Sequence, residues 1–282
     1  MNRRVKKNLF LAVCWFSAAV CASLLLFLLS VIVWKGAQAI NLGFLTSDSR
    51  KFGSEGGIFY QITGSILLIT GAAFVSFPVA LGTALYKSEY IRSNTLQRFS
   101  NILIYGLNGV PSIIFGIFGL IFFINILHVN ISWSVGSIIL AIMIIPTNVL
   151  AAYQSMNSIP KIYRESALAL GLDRWQVTVR VVIPQGINGA ITGLLIGLAR
   201  ALGETAPIMF IATAFSGIQL PGSLFEPVLS LPTHILVLSQ QATNSKTLEN
   251  AWGASLILIL LVFVCSLSAL FIRIKFKTMG QR

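Results

Sequence analysis

"NSIPKIYRESALALGLDRWQVTVRVVIP", residues 157–184, is a polar, basic stretch inside a chain that is 56% hydrophobic and only 10% charged. Its local signals predict two short helices. Ser158 can cap a first helix whose opening turn contains Pro160, and Gly171 can end it. Asp173 can cap a second, with Gln176 three residues on completing a capping box. Pro184 stands where the chain turns into the next apolar run. This helix–turn–helix is amphipathic and carries Lys161, Arg164, Arg174 and Arg180. It belongs against a membrane surface, between two segments that cross.

Outward from this elbow, six segments are predicted to span the bilayer, near 9–34, 58–86, 101–127, 131–152, 187–215 and 251–272. Uncharged runs of ~18 residues or more read as membrane helices. Soluble domains carry roughly 25% charged residues, far above this chain. The expected fold class is therefore an all-α membrane protein, one transmembrane domain over 1–282. The first apolar run exceeds the roughly 7–15 residues of a signal-peptide core, so the "AQA" at 37–39 is not read as a cleavage site.

Fifteen of the 20 Lys and Arg flank these spans on the elbow's side, against four on the other: Lys35, Arg50, Lys51 and Lys246. Lys and Arg accumulate in cytoplasmic loops, which puts the elbow and both termini in the cytoplasm. The same bias accounts for the net charge of +12 without a nucleic-acid partner. Cys14, Cys21 and Cys265 lie in apolar runs without metal-ligand spacing, so they read as packing residues and no metal site is expected.

The fifth span contains "GLARALGETAPIMF", residues 197–210, with Arg200 and Glu204 one helical turn apart. Arg200 falls roughly 20 Å along a helix starting at Ile187, near mid-bilayer. A charge there costs roughly 2.5–3.5 kcal/mol on insertion scales, so neither residue can face lipid. A guanidinium stays charged and matches tetrahedral oxyanions through paired hydrogen bonds. One reading makes Arg200 the positive potential for a crossing anion, with Glu204 orienting it. The other is an ion pair that fixes helix register or meets a second subunit. Gly189, Gly193 and Gly197 recur every four residues, a stripe that admits another helix closely. Gly203 and Pro207 flank Glu204 and permit a kink. Asn108 and Ser112 beside Pro111, Thr147 after Pro146, and Gln61, Thr63 and Ser65 either line the path or join helices by hydrogen bonds. The outer segments 36–57 and 216–250 offer a surface for a delivering protein.

The elbow resembles the EAA loop of ABC importer permeases: Glu165, Ser166 and Ala167, then Gly171, then Val181, Ile183 and Pro184, with Ser, Val and Ile as departures. By itself the elbow reads either as a solvated connector or as a docking element, Ala167, Ala169 and Gly171 being small enough for another protein's groove to close around the turn. The resemblance implies the second, an element that inserts into a cleft on an ATP-binding subunit. The run Ala199, Arg200, Gly203, Glu204, Thr205, Ala206, Pro207 resembles span five of the phosphate-specific ABC permeases. "LNGVPSIIFGIFG" (107–119) and "GGIFYQITGSILL" (56–68) are similar to the same family, and the Thr-Ala-Pro ending favours its PstA type.

That likeness implies six helices around half a pathway in a prokaryotic inner or plasma membrane. It implies a PstC-type second permease, a PstB-type ATPase dimer holding ATP-Mg, and a PstS-type phosphate-binding protein outside. Arg200, Glu204, Thr205, Asn108 and Ser112 are the expected pathway residues, and Glu165, Ser166, Ala167, Gly171 and Pro184 the expected ATPase contacts. The chain has no G-x-x-x-x-G-K-[ST] phosphate loop, so it is expected to be a non-enzymatic subunit that binds no cofactor itself. Other classes remain open at this level: an ABC permease for another oxyanion, an ion-coupled secondary transporter using Glu204 as proton carrier, or a purely structural subunit.

Overall fold

The computed structural model describes residues 3–50, 53, 55–214, 220–241 and 244–279, and for residues 4–6 and 276–279 only the backbone. In order the elements are α1 (Arg3–Ala39), α2 (Leu42–Thr46), β1 (Ser49–Arg50), β2 (Glu55–Gly56) and α3 (Phe59–Leu85). Then come α4 (Asn94–Asn108), α5 (Ser112–Gly119), α6 (Trp133–Asn157), α7 (Lys161–Ala169) and α8 (Arg174–Val177). The chain ends with α9 (Ile183–Leu202), α10 (Ala206–Met209), α11 (Leu231–Gln240) and α12 (Ser245–Met279). β1 and β2 form a two-residue antiparallel hairpin beside α2.

Among the described residues, five helical stretches are long and apolar enough to span: Lys7–Ala39, Phe59–Tyr90, Trp133–Asn157, Arg174–Leu202 and Ser245–Lys275. The sixth predicted span, 101–127, is not one straight helix. It is α4 followed by α5 with a π-helical extension to Ile126, bent by 90°. Pro111 has no N–H to donate and pushes Val110 out of the helical region, so the α4 ladder stops at Gly109. The fifth span differs as well. It begins at Arg174 instead of Ile187 and stops at Leu202, where a loop and the single turn of α10 follow. Phe215, the expected end of that span, lies outside the described residues.

Not every proline breaks its helix. Pro78 sits inside α3 and Pro146 inside α6, and both helices run on. At Pro184 the turn does not end the helix either: Thr178–Val182 forms a π-helical turn in which the Ile183 N–H donates to the Thr178 carbonyl five residues back. The widened turn makes room for the proline ring, so α8 and α9 are one rod. Ser158 takes a different role from the predicted one: it follows the C-terminus of α6, its hydroxyl donating to the Ser155 carbonyl at 2.7 Å.

α6 is the central pillar. Ile139, Leu140, Met143 and Ile144 are fully enclosed against residues of α3, α5, α9 and α10. In lipid there is no hydrophobic gain from pairing helices, so close van der Waals contact must hold them. α9 supplies it with glycine. A Cβ on Gly189 would lie 2.2 Å from Ser155 Oγ, on Gly193 2.3 Å from Ala151 Cβ, and on Gly197 2.5 Å from Asn148 Oδ1. Those three α6 residues step by three and four, so small groups on two helices interleave. At the far end, α11 packs on α3 and α12: the Leu231 N–H donates to Ser65 Oγ at 2.9 Å, and Gln61 Nε2 meets His234 Nδ1 at 3.4 Å. Burial pushes the His234 imidazole down to about 4, so it is neutral at physiological pH.

Gly193→Leu is expected to weaken the detergent-solubilised protein by about 1–3 kcal/mol through overpacking, read as a fall in thermal midpoint. Ala151→Gly in the same chain should recover part of the loss. An unchanged midpoint for the single variant would mean the helices are not in such close contact.

Candidate functional site

The rod formed by α8 and α9 ends in a break. The Gly203 N–H donates to the Arg200 carbonyl at 3.1 Å and the Glu204 N–H to Ala201 at 3.2 Å, so the last turn tightens and stops. Pro207, in the first turn of α10, restarts the helix after Thr205. Arg200 is therefore the last basic residue of a helix, close to its free carbonyls, and Glu204 lies in the gap. Arg200 Nε and Glu204 Oε1 stand 3.7 Å apart, an ion pair too long to be a hydrogen bond. Side-chain exposure is 42% for Arg200 and 18% for Glu204, so the guanidinium opens away from this chain's own core.

The second break, 109–111, is held on the same pillar. Thr147 Oγ1 of α6 donates to Asn108 Oδ1 at the end of α4, 2.8 Å away. The next residue, Asn148, abuts Gly197 of α9 and donates weakly to Ser76 Oγ of α3 at 3.4 Å. Beyond Ser112, α5 reaches α10: a Cβ on Gly116 would lie 2.8 Å from Pro207 Cα and 3.0 Å from the Ala206 carbonyl. Two interrupted helices thus meet across α6, with Arg200, Glu204 and Thr205 in one interruption and Asn108 and Ser112 at the edges of the other. Interrupted backbone at membrane depth is tolerated only where protein or water satisfies it, and such paired breaks recur at substrate sites of transporters. Ser65 and Gln61 instead face α11, while Thr63 Oγ1 bonds back to Phe59 and Tyr60.

At the basic end, α7 and α8 form the elbow. The turn between them is a complete Schellman motif: Gly171 at φ +84 donates to Leu168 at 3.0 Å, and Leu172 to Ala167 at 3.2 Å. The Asp173–Gln176 capping box closes in both directions, at 2.7 and 3.0 Å. Ala167 is buried against the bundle, whereas Glu165, Ser166 and Pro184 are exposed. Ile162, Tyr163, Leu168, Leu170 and Trp175 present apolar surface outward, Leu170 at 84% exposure. Such an exposed apolar patch on a basic elbow is a candidate contact surface.

One pair escaped the sequence reading. Glu89, at the end of the π-helical turn Tyr86–Tyr90 that extends α3, receives Arg164 Nε at 3.2 and 3.1 Å and Nη2 at 2.9 Å. The same guanidinium also donates to the Ile159 and Met156 carbonyls at 2.8 Å each. Arg164 therefore ties the elbow to both α3 and α6. The faint signal was an acid among the basic residues that follow span two. Nearby, Lys87 donates to Asn101 Oδ1 and lies 4.7 Å over the Tyr153 ring.

Residues 76–274 match the family described as "Binding-protein-dependent transport system inner membrane component". "Probable ABC transporter permease protein YqgI" of Bacillus subtilis is 29% identical over 281 residues, covering 95% of each chain. "Phosphate transport system permease protein PstA 1" of Mycobacterium tuberculosis is 30% identical over 280 residues, covering 97% of this chain and 90% of that one. A solved bacterial alginate ABC transporter, in complex with an alginate pentasaccharide-bound periplasmic protein, has a chain that superposes with a TM-score of 0.67. It is 16% identical over 95% of this chain and 94% of that one, a likeness of fold alone.

With side chains only 18% and 13% exposed, the Arg164–Glu89 pair is shielded enough to matter. Glu89→Gln or Arg164→Gln is expected to cost on the order of 1–3 kcal/mol. The double variant should lose about as much as the worse single one, as a shared contact requires. Additive losses in thermal melts would show that the two act separately.

Proposed function

Because this chain belongs to the family of binding-protein-dependent transport system inner membrane components, as a multi-pass ABC permease, we propose that it imports inorganic phosphate. The names of its relatives support that substrate, and the observation that carries the reading is the Arg200–Glu204 pair at the break after α9. A permanent cation halfway along the bundle, half-exposed on a side its own chain leaves open, is matched by an anion crossing beside it. Glu204 holds the guanidinium at one edge and leaves its other donors free for a tetrahedral oxyanion. It also limits the net attraction, so the anion is not trapped. Thr205, Asn108 and Ser112 add neutral hydrogen-bonding groups around the two breaks.

The open side of Arg200 takes a PstC-type second permease, and the two chains together enclose the path. The basic face is the cytoplasmic one, carrying both termini. There the apolar patch of α7 and α8, with Glu165, Ser166, Ala167, Gly171 and Pro184, docks on a PstB-type ATPase dimer. ATP and Mg²⁺ belong to that partner. A PstS-type binding protein delivers phosphate to the opposite face.

Coupling follows from continuity. Residues Arg174–Leu202 form one helix from the docking surface to the Arg200 break. A helix is stiff along its axis, so a push on α8 arrives at the break instead of dissipating in a loop. The Arg164–Glu89 clamp makes α3 move with the elbow. Closure of the ATPases on ATP would then move α3, α6 and α9 together against the second permease, opening the far side, and hydrolysis would reset them.

In the complete complex reconstituted into vesicles, Arg200→Gln is expected to preserve assembly and cut ATP-driven phosphate uptake at least tenfold. That corresponds to about 1.4 kcal/mol or more of lost stabilisation. Near-normal uptake would refute the pathway role, and uptake driven by an ion gradient without the ATPase would refute the class of mechanism. Gly171→Val puts a branched residue at φ +84, where L residues are strained. It should abolish copurification of the ATPase subunit while the permease pair still assembles. Normal copurification would count against docking at this turn.

A further inference from the structure

The strip of α9 that carries Arg200 continues toward the basic face. Stepping back one turn at a time gives Ile196, Thr192 and Asn188, with Gln185 nearer still to the elbow. Positions four apart on a helix rotate by only about 40°, so these residues wind gently along one side. They line an open cavity of about 600 Å³ together with Gln154 of α6 and Arg273 of α12. Thr192 lies about 12 Å along the axis from Arg200, at ~1.5 Å per residue.

The chemistry of this wall is one-sided. Among the described residues it offers the amides of Gln154, Gln185 and Asn188 and the guanidinium of Arg273, and no carboxylate lines it. The hydroxyls of Ser155, Ser158 and Thr192 donate to the Gly186, Ser155 and Asn188 carbonyls. Amides hydrogen-bond an anion without holding it as an ion pair would. The volume is many times the roughly 30 Å³ share of one water, so an oxyanion would sit here with much of its hydration shell. Ile196, one helical turn before Arg200, lines the end of the cavity nearest to it along α9.

We propose that this cavity is a second, weaker oxyanion subsite, an exit relay between the Arg200 break and the cytoplasm. It rests on the anion-import reading above. An anion bound at a permanent cation leaves slowly unless another favourable position lies within reach, because multi-site conduction needs each site weak enough to empty. The side-chain amides of Asn188, Gln154 and Gln185 supply the donors of that position, the Thr192 hydroxyl being donated to the Asn188 carbonyl at 2.8 Å. Arg273 at its mouth replaces the electrostatic attraction given up at Arg200. The ligand class is a tetrahedral oxyanion with at least part of its water.

The test uses the complete complex in inside-out vesicles, with Cys14, Cys21 and Cys265 replaced and a single cysteine introduced as Thr192→Cys or, separately, Asn188→Cys. A membrane-impermeant sulfonate-bearing thiol reagent is added from the elbow's side without nucleotide. Expected is labelling at both positions, slowed threefold or more by millimolar phosphate. Arg273→Gln should slow the anionic reagent threefold or more relative to a neutral one. Labelling indifferent to phosphate, sulfate and arsenate alike, or none at either position, overturns the relay. Protection by sulfate but not phosphate keeps the relay and overturns phosphate as the cargo. Arg273→Gln alone, at an exposed position, supplies an independent reading. Maximal uptake should fall threefold or more with the external half-saturation unchanged, and an unchanged maximal rate also overturns the relay.

Discussion

Glycine against small side chains, along the line where α9 crosses α6, is the contact on which the rest of the bundle depends. Gly189, Gly193 and Gly197 leave no room for a methyl group before Ser155, Ala151 and Asn148. Because lipid offers no hydrophobic reward for pairing helices, such backbone-level approach is the main source of attraction available. It also fixes height and rotation together. With three glycines seated on three small groups, α9 cannot turn without a clash, and the direction of Arg200, three residues past Gly197, is set. The same geometry places Asn148 and Thr147 beside each other at the level of both helix breaks.

The α6 pillar and the elbow work as one mechanical unit. α6 ends at Asn157, and the carbonyls of Met156 and Ile159 accept the Arg164 guanidinium. Glu89 brings the end of α3 to the same cation. The buried cluster below it joins Ala84, Met156, Ala167, Val177, Val182 and Ala190, so four helices share one small core at the basic face. Buried contacts and the Arg164–Glu89 pair thus tie the elbow to α3, α6 and α9.

The two breaks divide the chain's polar burden. Helices that cross lipid satisfy every backbone group internally, and α1 and α12 do so over most of their length. α4, α5, α9 and α10 give up that self-sufficiency near the middle of the bundle, where α6 stands behind them. Both breaks sit beside α6, where Thr147 donates to Asn108, and the Arg200–Glu204 pair occupies the gap after α9.

Much of this was legible in the residues themselves. Apolar runs show spans, the Asp173–Gln176 spacing shows a capping box, and Gly171 shows a left-handed turn, because each depends on a few neighbours in sequence. The prolines show where legibility ends. Pro111 breaks a helix, Pro78 and Pro146 leave theirs continuous, and Pro184 is absorbed by a π-helical turn. A proline removes one donor and crowds one carbonyl, but whether the chain bends depends on what neighbouring helices offer in return. Ser158 likewise follows α6 instead of capping α7, since the end of α6 reached it first. Glu89 and Arg164 are 75 residues apart, and no local pattern joins them. Local bonding is written in order along the chain; which distant groups satisfy a broken helix or an unpaired charge is decided only when the helices are packed.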